Sequence, residues 1–391
     1  MSALMPTYKR LPVAFTRGEG ALLWDQQGRQ YIDGLSGIAV TNLGHCHPAI
    51  TAAINEQASS LIHTSNLFQI PAQERLAAEL TGATGMDATF FCNSGAEANE
   101  AAIKLARRYG HQRGKKLPTI LVLQDAFHGR TMGALSATAG HIMQADFEPM
   151  LDGFRRVPRD DIAAIENVAD DVDICAVLVE PVQGEGGVRP LNQEYLKDLR
   201  RLCNDRDWLL MFDEVQSGNG RCGALYAFQR MGVTPDVLTT AKGLGNGFPI
   251  GVCLAKGNAA DVLGAGHHGT TFGGNPLACT VASTVINTLS SETLWAQADP
   301  IREAVIAGFQ AELDDPATVT DIRGLGLMIG IETHLPCEGL VQQALEAGVI
   351  INVTAGNTLR LLPPLVMSLT EATQLGGVVA QTLNNIQRSN Q

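Results

Sequence analysis

A lysine and an aspartate in the second half of the chain occupy positions suited to holding a carbonyl-bearing ligand. Each follows a short apolar or β-branched run typical of a buried strand, residues 209–212 before Asp213 and residues 237–240 before Lys242. Strand ends are where α/β sheets do their chemistry. The amine of a partly desolvated lysine can condense with an aldehyde, and a carboxylate can keep a pyridine nitrogen protonated. This pair suggests pyridoxal phosphate, and the alternative is a surface lysine with an ordinary turn aspartate.

Backbone that can approach a ligand closely is predicted at two places. Glycines at positions 243, 245 and 247 follow the lysine, and glycine lets the chain come near a planar ring. Residues 93–100, NSGAEANE, follow a strand-like run and open a helix that reaches about residue 108. Ser94 with Glu97 fits a capping box, and Gly95 at a helix amino terminus leaves backbone N–H groups for a phosphate. Because capping boxes are common, a structural role is the alternative here.

Two further loops carry groups that suit a site. In residues 127–131, FHGRT, Phe127 can stack on a planar ring and Arg130 offers the fork geometry that holds a carboxylate. A core phenylalanine with a surface ion pair remains the alternative. Residues 180–188, EPVQGEGGV, place two carboxylates, one of them Glu185, in a glycine-rich turn after another strand.

The elements that must position these residues alternate between strand and helix from residue 89 onward. This spacing predicts an α/β fold with a mainly parallel central sheet covered on both faces. Before it, residues 21–33 read as a hairpin, and residues 71–80 read as a helix that stops near Gly82. After about residue 275, long helical patterns lead into a smaller α+β unit. The predicted strands of the central sheet are residues 89–92, 120–123, 176–179, 209–212, 237–240 and 250–254.

Composition excludes several classes of protein. The 391 residues include 28 Lys and Arg against 40 Asp and Glu, and this net charge of −12 argues against nucleic acid or anionic membrane as a partner. No apolar run approaches the length of a membrane span, so we expect a cytoplasmic protein. The eight cysteines lack paired spacing and are expected to be reduced core thiols. Residues 45–47, HCH, lack further ligands nearby, so no metal is predicted.

Seven motifs in order carry a resemblance to a known family, and together they span nearly the whole chain. The sequence resembles the class III aminotransferases, which are pyridoxal phosphate enzymes of fold type I. The resemblance implies a large cofactor-binding domain, residues 46–280, and a small α+β domain built from residues 1–45 and 281–391. The motifs are NSGAEANEAAIKLAR, AFHGRT, EPVQGEGG, FDEVQSGNGR, TTAKGLGNGFPIG, HGTTFGGNPLA and RLLPPL.

The resemblance also implies roles for individual residues. Lys242 and Asp213 become the catalytic pair, with Lys242 bound to the cofactor aldehyde and later moving a proton, and Asp213 on the pyridinium. Phe127 stacks on one ring face and Thr271 reaches the phosphate bound by a neighbouring subunit, which implies a homodimer. The implied cofactor-binding set is Ser94, Gly95, Ala96, Phe127, Asp213, Val215, Gln216, Lys242 and Thr271.

The resemblance to the class III aminotransferases also implies substrate-binding roles for two arginines and two further side chains. Arg130 holds the distal carboxylate of 2-oxoglutarate, and Arg360 lies near the reacting carbon. Glu185 pairs with Arg360 while the amino donor is bound and swings away for the acceptor, because an unpaired cation beside a bare carbon chain is costly. Thr270 contacts the donor.

Finer matches resemble the branch of the family that acts on acetylornithine. They are residues 65–68, residues 268–271 and His128, where ornithine aminotransferases usually have Trp. The implied substrates are N2-acetyl-L-ornithine and 2-oxoglutarate, and the alternatives are succinylornithine, succinyl-diaminopimelate, ornithine or 4-aminobutyrate as donor. A nicotinamide dehydrogenase needs a G-x-G-x-x-G turn after an early strand, which is absent. A noncatalytic binding protein is expected to have lost Lys242 or Asp213, and both are present.

Overall fold

The computed structural model describes residues 3–139, 144–170, 173–334, 337 and 339–389. The strands are β1 Phe15–Glu19, β2 Leu22–Asp25, β3 Gln30–Asp33, β4 Ala88–Cys92, β5 Thr119–Leu123, β6 Phe154–Val157, β7 Ile174–Val179, β8 Val182–Gln183, β9 Arg189–Pro190, β10 Leu209–Asp213, β11 Val237–Thr240, β12 Gly251–Ala255, β13 Val319–Leu325, β14 Met328–Thr333, β15 Val349–Ile350, β16 Asn352–Thr354 and β17 Thr358–Leu361.

Helices cover both faces of the central sheet and build the carboxyl-terminal part. The α-helices are α1 Pro48–Ser60, α2 Pro71–Thr84, α3 Gly95–Gln112, α4 Met132–Ala137, α5 Ile162–Glu166, α6 Gln193–Arg206, α7 Ala227–Met231, α8 Pro276–Ser291, α9 Ala298–Glu312, α10 Leu340–Glu346 and α11 Leu369–Ser389. The 3₁₀ turns are Ala145–Phe147, Lys242–Leu244, Gly257–Ala259, Leu294–Gln297 and Pro316–Thr318. Ser36–Ala39 forms a single left-handed turn, with φ between 51° and 67°.

The central sheet has seven strands in the order β4-β12-β11-β10-β7-β5-β6. Strand β12 runs antiparallel to both of its neighbours, and the pairings among β11, β10, β7, β5 and β6 are parallel. Every residue of β5, β7, β10 and β11 is buried, as expected for strands covered on both faces. The predicted mainly parallel sheet is therefore confirmed. Strand β6 was not predicted.

Helix α3 shows why the chain folds this way next to the site. Its buried residues recur at helical spacing and are mostly small, so the helix can lie close to the sheet. The helix is longer than predicted and ends at Gln112. Helix α2 corrects a second predicted boundary, because it continues through Gly82 and ends where Gly85 adopts φ +69°. The buried residues of α3 are Ala98, Asn99, Ala101, Ala102, Ile103, Leu105, Ala106, Tyr109 and Gly110.

Two smaller sheets are built from the ends of the chain. The predicted hairpin is present as β2 and β3, and β3 also pairs in parallel with β15, more than three hundred residues later. The other sheet has the order β13-β14-β17-β16. The two ends of the chain therefore share one sheet. The division into a large and a small domain, with boundaries at residues 45 and 280, stays a prediction.

The described residue ranges contain buried thiols and no membrane-spanning helix or metal cluster. No helix in these ranges is long and apolar enough to cross a membrane. Within the same ranges, no three His, Cys, Asp or Glu side chains gather as metal ligands. His45 instead contacts Asp33 at 2.7 Å. Cys46 is exposed, so the prediction of a core thiol was wrong for this residue. The other cysteines are buried, as predicted.

Candidate active site

The carboxyl ends of the central strands surround a cavity of about 260 Å³. Strands β10 and β11 deliver Asp213 and Lys242 to it, and the loops after β5 and β7 deliver aromatic and acidic side chains. The cavity thus lies where sequence reasoning placed a site. The predicted site residues that line it are Gly95, Ala96, Phe127, Arg130, Asp213, Val215, Gln216 and Lys242.

Three donors fix the carboxylate of Asp213 in one orientation. One oxygen accepts a hydrogen bond from Asn99 at 2.7 Å and lies 2.8 Å from Nδ1 of His128. The other oxygen accepts the backbone N–H of Val215 at 3.0 Å. Asp213 is only 5% exposed, so these bonds offset the cost of burying a charge. The acid is therefore held rigidly at the edge of the cavity.

Lys242 begins a 3₁₀ turn one residue after the end of β11 and has a left-handed backbone, with φ +46°. Such a conformation is costly for a residue with a side chain and is found most often at functional sites. Burial lowers the pKa of its amine and outweighs the nearby Glu185 carboxylate, which acts to raise it, while the Arg360 guanidinium acts in the same direction as burial. The neutral, nucleophilic form of the amine is consequently reached at a lower pH than in a free lysine.

The amino terminus of α3 confirms half of the predicted capping box. The hydroxyl of Ser94 accepts the N–H of Glu97 at 3.2 Å, but the Glu97 carboxylate bonds the N–H of Asn93 at 2.6 Å instead of that of Ser94. Gly95 is required because of Val215, whose Cγ1 lies 2.6 Å from where a Cβ would stand. The helix terminus and Val215 thus meet at the cavity wall, whereas Ser94 is not among the residues that line the cavity.

Two of the three glycines after Lys242 pack closely against other parts of the protein, and the predicted approach of this backbone to a ligand stays a prediction. A Cβ on Gly243 would lie 2.4 Å from the amide nitrogen of Asn42. A Cβ on Gly245 would lie 1.8 Å from the carbonyl oxygen of Phe248. At Gly243 and Gly245 the chain therefore approaches neighbouring protein atoms too closely for a side chain.

Glu180 joins two of the loops that border the cavity. One of its carboxylate oxygens accepts the N–H of Phe127 at 2.9 Å, and the other lies 3.4 Å from the N–H of Gly184. Burial raises the pKa of Glu180 to about 7, and the nearby Asp213 raises it as well. Phe127 thereby keeps a fixed position beside the cavity.

The two predicted substrate arginines have contrasting surroundings. Arg360 is 1% exposed and donates to Glu185 at 2.6 Å and to Asn352 at 3.1 Å. Arg130 is exposed, and its guanidinium lies 4.8 Å from the centre of the Phe127 ring. The structure thus brings Glu185 and Arg360 together. It leaves Arg130 at the cavity with a face open to an anion.

Thr270 and Thr271 lie outside this cavity. The Thr270 hydroxyl accepts the side-chain N–H of Asn93 at 3.3 Å and the N–H of Gly273 at 3.2 Å, so it borders the start of α3. Thr271 is exposed, as is Phe272. Neither threonine lines the cavity of its own chain.

Sequence reasoning gave no binding or bracing role to three residues that line or brace the site, although it noted the Glu180 carboxylate in its glycine-rich turn. Asn99 donates to Asp213 and accepts the hydroxyl of Thr239 at 2.7 Å. His128 contacts Asp213, and its Nε2 is buried without a hydrogen-bond partner among the described residues. Glu180 is the third. Asn99 lies one helical turn after Gly95 on the buried face of α3, and a polar residue at such a position was the available signal.

The cavity fits pyridoxal phosphate on several independent observations. A buried carboxylate and an amine of lowered pKa line the same space, and Phe127 and Val215 offer side-chain walls for a flat ring. An 18-residue helix begins at its border, where the first backbone N–H groups have no partner within the helix. The amine suits the aldehyde of that cofactor, the carboxylate suits its pyridine nitrogen, the side-chain walls suit its ring, and the helix N–H groups suit its phosphate.

Comparison with known proteins also indicates an aminotransferase. The family described as Aminotransferase class-III matches residues 4–383. The acetylornithine aminotransferase of Nitrosomonas europaea is 54% identical over 376 residues, which are 96% of each chain. The crystal structure of N-acetylornithine aminotransferase from Stenotrophomonas maltophilia K279a is 34% identical, with a TM-score of 0.86 and 98% of each chain covered.

A third comparison bears on the substrate. An ornithine aminotransferase structure from Toxoplasma gondii, which reveals partial occupancy of PLP at its active site, is 32% identical with a TM-score of 0.93. The comparison covers 100% of this chain and 94% of that one. Because the ornithine enzyme has the higher TM-score of the two structures, likeness of fold does not separate the two substrates.

Proposed function

Because the chain belongs to the class-III aminotransferases, we propose that it transfers the terminal amino group of N2-acetyl-L-ornithine to 2-oxoglutarate. The products are N-acetyl-L-glutamate 5-semialdehyde and L-glutamate, and the reaction is a step of arginine biosynthesis. The observation that carries this proposal is the 54% identity to an acetylornithine aminotransferase over 96% of both chains. The seven-stranded, mainly parallel sheet agrees with the expected fold type I.

The residues that would hold pyridoxal phosphate are those lining the cavity. Lys242 would bind its aldehyde, Asp213 its pyridine nitrogen, and Gly95 and Ala96 its phosphate through backbone N–H groups. Phe127 and Val215 would contact the ring, with Gln216 beside its phenolic oxygen. When bound, the cofactor supplies an electron sink that stabilises negative charge on the substrate carbon next to the amine.

Lys242 carries the proton in this proposal. Its amine has a lowered pKa because burial and Arg360 disfavour the ammonium form. The neutral amine can accept a proton from the substrate carbon, and the resulting ammonium can return it. Asp213 stays fixed throughout, since three donors hold its carboxylate.

Arg130, Arg360 and Glu185 let one cavity accept two different substrates. The donor places bare carbon chain next to its reacting amine, and the Glu185 carboxylate neutralises Arg360 while that chain is present. The acceptor has a carboxylate beside its reacting carbonyl, which takes the place of Glu185 on Arg360. Arg360 is buried and bonded to Asn352, whereas the Glu185 side chain is 39% exposed, so Glu185 is the partner free to move.

Acetylornithine is favoured over the other donors by sequence likeness. The acetylornithine aminotransferase of Nitrosomonas europaea is 54% identical, whereas the solved acetylornithine and ornithine enzymes are 34% and 32% identical. His128 also stands where ornithine aminotransferases usually have Trp. The test is a comparison of rates with acetylornithine, succinylornithine, ornithine and 4-aminobutyrate, each with 2-oxoglutarate. We expect acetylornithine to have the highest kcat/KM, and a higher value for ornithine or 4-aminobutyrate would refute the assignment.

The attachment site of the cofactor has its own test. Borohydride reduction of the holoenzyme followed by peptide mapping is expected to find a pyridoxyl group on Lys242. Recovery of unmodified Lys242 peptide from the reduced holoenzyme contradicts the proposal.

We also propose a homodimer with shared sites in the cytoplasm. Thr271 is exposed and lies outside the cavity of its own chain, so it is available to the cofactor phosphate of a second copy. Thr270, which borders α3, is proposed to contact the donor.

A further inference from the structure

Arg221 is a fully buried arginine on the loop that follows Asp213, and the proposed mechanism does not use it. It is 0% exposed, and burial lowers the pKa of its guanidinium to about 10. Its acceptors among the described residues are the carbonyl oxygens of Pro363 and Leu327 and the side-chain oxygen of Asn42, with no carboxylate among them. Such a group costs free energy to bury, and an apolar side chain could fill the same volume. The planar guanidinium adds a fixed fork between separate chain segments.

One arm of this fork leads to the lysine. The guanidinium donates to Asn42, whose own amide donates to the carbonyl oxygen of Asn219 at 2.8 Å. The side chain of Asn219 donates to the hydroxyl of Thr240 at 2.9 Å and to the carbonyl oxygen of Ala241 at 3.2 Å. Asn42 and Asn219 are both fully buried. Because Ala241 immediately precedes Lys242, the chain of bonds ends at the backbone that presents the amine.

The other arm leads to the substrate arginine. The guanidinium also donates to the carbonyl oxygen of Pro363, which follows strand β17 by two residues. Arg360 lies within β17. The carbonyl oxygen of Asn42 in turn accepts the N–H of Leu365 at 2.8 Å, so the amino-terminal segment and the end of β17 are bonded to each other as well.

We propose that Arg221 is a positioning residue that fixes the distance between the Lys242 amine and the Arg360 guanidinium. It does so by bonding the segment before Lys242, through Asn42 and Asn219, and the segment after Arg360, through Pro363. The two groups lie on different sheets, and a shift of either by about 1 Å is enough to lower the rate severely. The roles of Lys242 and Arg360 in this inference rest on the proposed function.

The first test is hydrogen exchange of the full-length protein. Arg221→Lys keeps a cation but loses the fork, and we expect exchange of the amides in residues 242–246 and 362–366 to be about ten-fold faster. Asn42→Asp still accepts from Arg221 but can no longer donate to Asn219, so only residues 242–246 should exchange faster. Arg108→Lys is the matched control, because the Arg108 guanidinium also bonds a carbonyl oxygen, that of Val262 at 2.8 Å, far from the cavity.

Kinetic constants distinguish the contacts that lead to Lys242 from those that lead to Arg360. Asn42→Asp is expected to lower kcat and leave the KM for 2-oxoglutarate unchanged, whereas Arg221→Lys lowers kcat and raises that KM. A purely structural role predicts lower thermal stability with both kinetic constants unchanged per folded molecule.

Unchanged exchange at both peptides in folded Arg221→Lys protein overturns the inference. If that variant does not fold, Asn42→Asp decides, and unchanged exchange at residues 242–246 overturns it. Exchange does not depend on which amino donor the enzyme uses. If the unaltered chain has no activity with acetylornithine, the proposed function is refuted. The inference about Arg221 is then still decided by the hydrogen-exchange results.

Discussion

His128 and Asp213 form a buried pair in which Nδ1 of the imidazole lies 2.8 Å from a carboxylate oxygen. Asn99 bonds the same oxygen, and its amide also donates to the backbone carbonyl of His128 at 2.8 Å. Three segments distant in sequence, α3, the loop after β5 and the end of β10, therefore meet at one atom of Asp213. The orientation of the acid depends on all three.

Replacing His128 by alanine is expected to loosen that orientation. A hydrogen bond to a charged group contributes about 1.5–3 kcal/mol, so cofactor affinity should fall by about 10- to 100-fold. The affinity is measured by titrating cofactor-free protein with pyridoxal phosphate and following fluorescence. His111→Ala is the control, because His111 is exposed and its ring bonds the backbone carbonyl of Lys115 instead of Asp213. Equal affinity in both variants would show that Asp213 is held without the imidazole.

Substituting Glu185 by glutamine tests the proposed exchange of partners on Arg360. The variant leaves a buried cation without a neutralising charge while the donor is bound, so the donor half-reaction should slow by about ten-fold. The acceptor half-reaction should change little, because the acceptor carboxylate itself occupies Arg360. Single-turnover rates with each substrate measure the two halves separately. Equal loss in both halves rules out the switch. Glu194→Gln serves as the control, because Glu194 is an exposed residue of α6.

Stability should depend on pH through Glu214, which is buried next to Asp213. Its carboxylate accepts the N–H groups of Ala227 at 2.6 Å and Phe228 at 2.8 Å, yet burial prevails and raises the pKa from 4.5 to about 7. Because the folded state binds the Glu214 proton more tightly than the unfolded state does, protonated Glu214 stabilises the fold below pH 4.5. This contribution to the free energy of unfolding is lost as pH rises through about 7. Its size is about 3 kcal/mol.

Glu214→Gln removes that ionisation and keeps one acceptor oxygen. Melting temperatures of the variant, taken from about pH 5 to about pH 8, should fall less steeply than those of the unaltered chain. The melting temperature of the variant should still fall somewhat with pH, since burial also raises the pKa of Glu180. Two parallel curves would show that Glu214 does not titrate in this range.

The shared site of the proposed dimer can be tested by mixing two inactive chains. A chain with Lys242→Ala keeps Thr271, and a chain with Thr271→Ala keeps Lys242. Mixed dimers regain one complete site out of two, so activity should reappear after the two proteins are unfolded and refolded together. Measured rates that equal the sum of the separate proteins would mean that Thr271 serves its own chain or neither.

The strands of the central sheet were predictable because they are continuous apolar runs, which tertiary contacts reinforce. Strand β6 escaped because Arg155 and Arg156 interrupt its pattern, and both are exposed at the edge of the sheet. The end of α2 was misplaced because glycine stops a helix only where it adopts a left-handed backbone, as Gly85 does and Gly82 does not.

Site residues that act directly carry a strong local signal, whereas those that position them carry a weak signal, as Asn99 does, or none. Asp213 and Lys242 each follow a strand, so their place could be read from neighbours in sequence. The bonds from Asn99 to Asp213 and from Arg221 to Asn42 span more than one hundred residues. Only the folded chain brings such partners together, and no spacing rule connects them.

The parallel pairing of β3 with β15 has a consequence for biosynthesis. On the ribosome, residues 30–33 leave the exit tunnel long before Val349 and Ile350 exist, and at 5–20 residues per second the interval is roughly 15–60 s. During that time one edge of the hairpin is open to wrong partners, including other nascent chains. We expect translation stalled before residue 349 to leave the hairpin sensitive to protease, and a protected hairpin in such stalled chains would contradict this.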